Sequence, residues 1–199
     1  AVDFYRACKA EGVKPIIGCE VYVAPRTRFD KQHEFDAEAR HLVLLCENEE
    51  GYRNLSYMVS QANLDGFYGK PRIDLSLLRE HHEGLIALSA CLAGEIPKRL
   101  LAGNYEGAKE HALKMAELMG EDNYYLEIQD HGIEEQKVVL EGILRIHKET
   151  GIPLVATNDA HYLRKEDART QDVLMCIQMG KGAEHYIRTG RAREITREQ

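Results

Sequence analysis

No stretch of the sequence stays apolar for the length of a membrane span, and no charged-then-apolar leader ending in small residues can be read. Neither a membrane helix nor a secretory signal is expected. The cysteines are Cys8, Cys19, Cys46, Cys91 and Cys176, an odd set without a C-x-x-C pair. That excludes a regular disulfide framework and fits a reducing, cytoplasmic compartment. Basic residues are in deficit, since 26 Lys and Arg against 33 Asp and Glu leave a formal charge of −7. Phosphate backbones are gripped by clustered Lys and Arg, so a standalone module that holds nucleic acid by its overall field is excluded. Any DNA contact has to be local or supplied by other domains. There is no G-x-S-x-G elbow, phosphate loop, G-x-G-x-x-G fingerprint or Ser-His-Asp order, which disfavours nucleophilic hydrolases and nucleotide-cofactor enzymes.

What remains is enough for one domain. The 199 residues are 44% hydrophobic and 30% charged, so they can bury a single core. Nine histidines are more than packing requires and raise the question of metal binding. The sequence opens at Ala1, inside a helical pattern, without a methionine; a missing upstream part is expected.

Short β-rich runs alternate with longer helical stretches, the pattern of a parallel α/β fold. A helix end over Val2 to Glu11 stops at Gly12, and KPIIGCEVYV, from Lys14 to Val23, reads as a buried strand. Pro25 to Arg40 is polar and reads as a loop. HLVLLCEN, from His41, is the second strand, with Asn48 as the N-cap of the helix that follows. A turn-rich connector covers Asp65 to Arg72, and a short helix lies near Leu75 to Arg79. GLIALSA from Gly84, YYLEIQ from Tyr124 and IPLVATN from Ile152 are three further strands. Between them fall an amphipathic helix after Asn104 and another from Glu134 to Thr150, and a last helix covers Asp167 to Gln178. Five strands of this kind form either an open doubly wound sheet or part of a barrel. In both, function gathers at the C-terminal strand ends.

Three strand ends carry groups that bind metals: Glu20 in GCEVYV, Cys91 in LSACLAGEIP, and Asp159 with His161 in VATNDAHY. A carboxylate, a thiolate and an imidazole at one rim suit zinc, manganese or iron. Asp159 and His161 share a face if their strand continues; equally, Asp159 could cap a turn and His161 lie on the surface. Cys91 also reads as a small core residue. Glu20, flanked by Cys19 and Val21, requires a partner if buried, which could be a metal or a lysine. His41 stands at the start of its strand, the wrong end for a rim, and reads as a surface histidine. His81 and His82 suit a helix C-terminus. His111 and His147 fall on amphipathic helices as exposed or half-buried residues, and His131 lies beyond a strand end as a weaker rim candidate.

The strings KPIIGCEVYVAPR, HLVLLCENEEGYRNLSYMVSQA, EGLIALSACLAGEIP and GIPLVATNDAHYL, in this order, resemble the polymerase-and-histidinol-phosphatase (PHP) domains of bacterial replicative DNA polymerases. The resemblance runs from residue 1 to about 181, leaving 182–199 as a tail outside the family pattern. It implies a distorted seven-stranded β/α barrel, TIM-like, here incomplete because the first strands with their His-x-His and further acidic ligands precede the sequence. It also implies up to three divalent ions, fewer in this chain, serving phosphoester hydrolysis, 3'-5' exonuclease proofreading or structural support. Carried over by motif, Glu20, His41, Cys91, Asp159 and His161 are the metal ligands. The implied partners are DNA, through a parent DNA-directed polymerase, and the other domains and subunits of the replicative holoenzyme. The alternatives are a standalone PHP metallophosphatase acting on a small phosphate ester and a catalytically inactive scaffold.

Overall fold

The computed structural model describes residues 1–178; the expected boundary near residue 181 and the tail 182–199 lie outside the described residues. The chain divides into two compact units, Ala1–Asn158 and a second beginning at Asp159, and each is described by itself.

The first unit opens with helix α1 (Val2–Ala10), ended by Gly12 at φ +69°, a left-handed conformation that glycine adopts without strain. Strand β1 (Gly18–Val23) follows, four residues later than the pattern suggested, then a one-turn helix α2 (His33–Asp36) inside the expected loop. Strand β2 (Arg40–Cys46) leads to α3 (Glu49–Leu64), whose N-cap Asn48 accepts from the Gly51 amide. A two-residue strand β3 (Arg72–Ile73) precedes α4 (Leu75–Glu80), capped in the same manner by Asp74. Strand β4 (Leu85–Leu88), helices α5 (Glu95–Leu101) and α6 (Tyr105–Met119), strand β5 (Tyr124–Ile128), helix α7 (Glu134–Thr150) and strand β6 (Leu154–Ala156) complete it. The sequence pattern missed α5 and β3: the first is only seven residues long, with Pro97 in its first turn, and the second is too short to carry a period.

Six strands form one sheet in the order β3-β1-β2-β4-β5-β6. β1 pairs parallel with β3, and β4, β5 and β6 pair parallel in turn, but β2 is antiparallel to both β1 and β4. One strand therefore runs against the other five. This corrects the all-parallel expectation. The sheet ends at β3 and β6 and is not closed, so the described residues form an open mixed sheet and not a barrel.

Direct opposition across β1 and β2, with Tyr22 on His41 and Glu20 on Val43, puts Glu20, Tyr22, His41 and Val43 on one face. Val21, Leu42 and Leu44 take the other and are buried in the core with Met58, Leu78, Ile96, Met115, Leu126 and Ile143. The core thus sits between one sheet face and the helices, and the opposite face stays free to carry polar groups.

The segment between β1 and β2 is long and polar but firmly held. Arg72, 1% exposed, donates from Nε to the Gly66 carbonyl, from Nη1 to that of Asp36 and from Nη2 to those of Arg28 and Asp30. Asp36, fully buried, receives Arg26 at 2.9 and 2.6 Å and the Gln32 amide at 2.8 Å. The Arg26 hydrogen bonds, helped by the Gln32 amide, hold the Asp36 carboxyl down at about 2. A carboxyl lowered in the folded state stabilises the fold above its ordinary value of 3.8, and that contribution is lost as the pH falls through about 2. Asp36→Asn is expected to lower the melting temperature at pH 7 by several degrees. The gap from the parent should narrow as the pH is taken from about 4 to about 2; a gap independent of pH would contradict it.

In the second unit a 3-10 turn (Lys165–Asp167) leads into α8 (Ala168–Gln178), close to the expected last helix.

Candidate metal centre

The reversed direction of β2 resolves the difficulty over His41. A strand antiparallel to its neighbours begins at the rim where the others end, so the first residues of β2 share that rim with the C-terminal half of β1 and the segment after β4. The backbone fixes this: the His41 amide donates to the Ala93 carbonyl at 3.1 Å, and His41 bridges Gly94. Reading strand ends without knowing strand direction is what hid His41.

Three of the expected ligands converge there. The His41 Nδ1 lies 3.0 Å from Glu20 Oε1 and 3.7 Å from Cys91 Sγ. The donor atoms of Glu20, His41 and Cys91 all lie within 4.8 Å of one another, and they form the one such group among the described residues. Hydrogen bonding of the imidazole with Cys91 and then with the Glu20 carboxylate lifts the His41 pKa to about 10 against the opposing effect of burial. The pocket thus favours a positive charge at the imidazole. Tyr22 packs its ring edge against His41 with centroids 5.1 Å apart, which restrains the ring plane.

Cys91 is presented by a tight turn. Ala90 takes φ +64°, and the Gly94 amide donates to the Cys91 carbonyl at 2.8 Å. A Cβ on Gly94 would stand 2.2 Å from the Ser89 carbonyl oxygen. Cys91 is half-buried and so is no plain core residue.

The donor set fits a metal. Zinc-type bonds of about 2.0–2.3 Å place neighbouring tetrahedral donors roughly 3.3–3.8 Å apart, close to the observed 3.0 and 3.7 Å. One carboxylate, one imidazole and one thiol suit zinc or a neighbouring first-row ion.

Asp159 and His161 fall in the second unit. β6 ends at Ala156 and Asp159 has φ +44°, so the strand does not continue and the alternation expected to place both side chains on one face does not apply. The pair sits in a bend, where the His161 Nδ1 donates to the Asp159 carbonyl at 2.8 Å, so that Nε2 is the ring nitrogen outside this bond. His131 is unavailable as a ligand. Its Nε2 donates to the Asn158 carbonyl at 2.7 Å and its Nδ1 accepts from Gln136 at 2.8 Å.

A buried carboxylate that sequence reading missed stands behind Cys91. Glu127 on β5 is 5% exposed; one oxygen accepts from Thr157 and Gln129, while Oε2 has no partner among the described residues. The signal was a glutamate between Leu126 and Ile128 in an apolar strand, the same signal that marked Glu20. A cavity of about 10 Å³, near the size of one water, is lined by both Glu127 and Cys91.

Among the described residues no helix is long and apolar enough to cross a membrane. Comparison with known proteins gives a consistent result. The chain is 51% identical over 178 residues to the DNA polymerase III subunit alpha of Treponema pallidum, covering 89% of this chain and 15% of that protein. It is 45% identical over 181 residues to that of Borreliella burgdorferi, covering 90% and 16%, and 47% identical over 180 residues to that of Thermus aquaticus, covering 89% and 15%. The chain therefore spans about a sixth of the length of these relatives. Residues 1–131 match the PHP domain model, and with two-thirds of its length inside that match the chain belongs to the PHP domain family.

Proposed function

We propose that this chain is the metal-binding PHP portion of a bacterial replicative DNA polymerase, with its sheet part of the family's β/α barrel. Glu20, His41, Cys91, Asp159 and His161 would hold divalent ions there, zinc, manganese or iron. The observation that carries the reading is the convergence of Glu20, His41 and Cys91 from β1, β2 and the turn after β4. When bound, such ions supply a water acidified to near-neutral pKa and stabilise charge on a phosphoryl group, the chemistry of 3'-5' exonuclease or phosphoesterase action.

The residues have separate tasks. Glu20 brings a carboxylate and Cys91 a sulfur donor to the rim, and Tyr22 holds the plane of His41. His41 must give up its proton to bind, and His161 is already set with Nδ1 committed and Nε2 open. DNA and the other subunits of a replicative holoenzyme, in the cytoplasm, are the partners this reading assigns, reached through the parent polymerase. None of these residues copies DNA.

The test is the metal content of the purified protein by plasma mass spectrometry after mild dialysis. Stoichiometric zinc, manganese or iron is expected, with affinity falling at least ~10-fold in His41→Ala and in Asp159→Asn. Metal that stays bound equally well in both variants would refute the ligand assignment. A metal-free parent would favour the scaffold reading.

A further inference from the structure

Glu127 is a buried polar group outside the ligand set. It lies on β5 between Leu126 and Ile128, and its backbone amide donates to Ser89 Oγ at 2.8 Å, which ties it to the residue two before Cys91. Its side chain is only half satisfied. Oε1 accepts from Gln129 Nε2 at 3.1 Å and from the Thr157 hydroxyl, whereas Oε2 is buried without a hydrogen-bond partner among the described residues. A carboxylate oxygen withdrawn from water in this way is costly unless a donor reaches it.

Donors stand across the cavity. The amides of Ala90, Cys91 and Leu92, in the turn bent by the left-handed Ala90, donate to no backbone or side-chain acceptor among the described residues. The same three residues line the cavity of about 10 Å³ together with Glu127. Its remaining wall gives Oε2 no rival donor: Val139, Leu140 and Ile143 of α7 are apolar, and the Gln136 side chain is committed to His131. The volume is on the order of what one water needs, and a water there meets an acceptor at Oε2 and amide donors in the turn.

We propose that one buried water bridges the Glu127 carboxylate to the turn that presents Cys91, accepting from a turn amide and donating to Oε2, so that Glu127 is a positioning residue for the thiol. A side chain of β5 then pins the turn after β4 from behind, and the backbone that sets where the Cys91 sulfur stands against His41 is held without a contact to the ligand atoms. The bridge rests on the orphaned oxygen, the amides and the cavity alone. Its effect on an ion rests on Cys91 being a ligand, as proposed above.

The bridge is tested first without metal. In EDTA, the amide spectrum of isotope-labelled protein should show a water cross-peak at the Ala90, Cys91 or Leu92 amide, of opposite sign in the laboratory and rotating frames, which marks a resident water as distinct from proton exchange. The cross-peak should be lost in Glu127→Leu and kept in Glu127→Gln, whose side-chain amide still bonds a water. Cobalt(II) is then titrated into each protein, with affinity read from the sulfur-to-cobalt charge-transfer absorption. Glu127→Leu should bind at least ~10-fold more weakly, the usual cost of losing a group that orients a ligand, and Glu127→Gln should stay close to the parent. No cross-peak in the parent, or one that survives Glu127→Leu, would overturn the bridge. Equal cobalt affinity in the parent and Glu127→Leu would overturn the positioning role. A parent that binds no cobalt, or binds it without the charge-transfer absorption, would count against Cys91 as a ligand, and the cross-peak would still decide the bridge.

Discussion

Replacing Arg72 by Met is expected to lower the unfolding free energy by about 3–5 kcal/mol, read as a drop in the urea midpoint followed by circular dichroism. The guanidinium is 1% exposed and serves four carbonyls, those of Gly66, Asp36, Arg28 and Asp30. Removing it strands these acceptors away from water, and each buried unsatisfied group costs about 1–3 kcal/mol unless the segment opens to solvent. Methionine fills much of the volume, so the loss reports the hydrogen bonds and not a cavity. Arg72→Lys should recover only a minor part, because one ammonium cannot reproduce a planar fork that reaches four acceptors. A midpoint unchanged in Arg72→Met would show that the segment between β1 and β2 is held by Arg26 and Asp36 alone.

Gly94→Ala should damage the fold and the metal centre together. Its Cβ would meet the Ser89 carbonyl at 2.2 Å and the Cys91 carbonyl at 3.2 Å, both backbone atoms of the turn that presents the thiol. Relief requires that turn to open, moving Cys91 from His41 and disturbing the start of α5. Overpacking of this kind costs about 1–3 kcal/mol, and metal affinity should fall at least ~10-fold although every ligand side chain is intact. The measurement is a thermal midpoint alongside metal content. Wild-type values for both would show that the turn yields without moving the cysteine.

The sequence was most legible where one residue decides a local event. Asn48 and Asn104 cap their helices through side-chain oxygens, and Gly12 and Gly151 end theirs at positive φ, so those boundaries could be read directly. Apolar runs located five of the six strands. Strand direction was not legible, because β2 carries the same valine and leucine pattern whichever way it runs; its pairing is decided by β1 and β4. That one unknown turned a parallel expectation into a mixed sheet and made His41 look misplaced. The resemblance to a family pointed to His41, which the pattern read as a surface histidine, and to Cys91 as a ligand where the pattern left a core residue open. Glu127 was missed although it had the same signal as Glu20, a carboxylate inside an apolar strand.

The reversed strand has a further consequence for the order in which the protein is made. His41 and Cys91 are separated by 50 positions, and what joins them is the pairing of β2 with β4 across α3, β3 and α4. A chain emerging from the ribosome carries Glu20 and His41 long before the thiol exists, so no partial synthesis product ending earlier than the turn after β4 can hold an ion with all three donors. On the proposed ligand assignment, capture of an ion by all three donors must therefore follow synthesis of β4 and its turn, while β5 and β6 of the sheet are still to come.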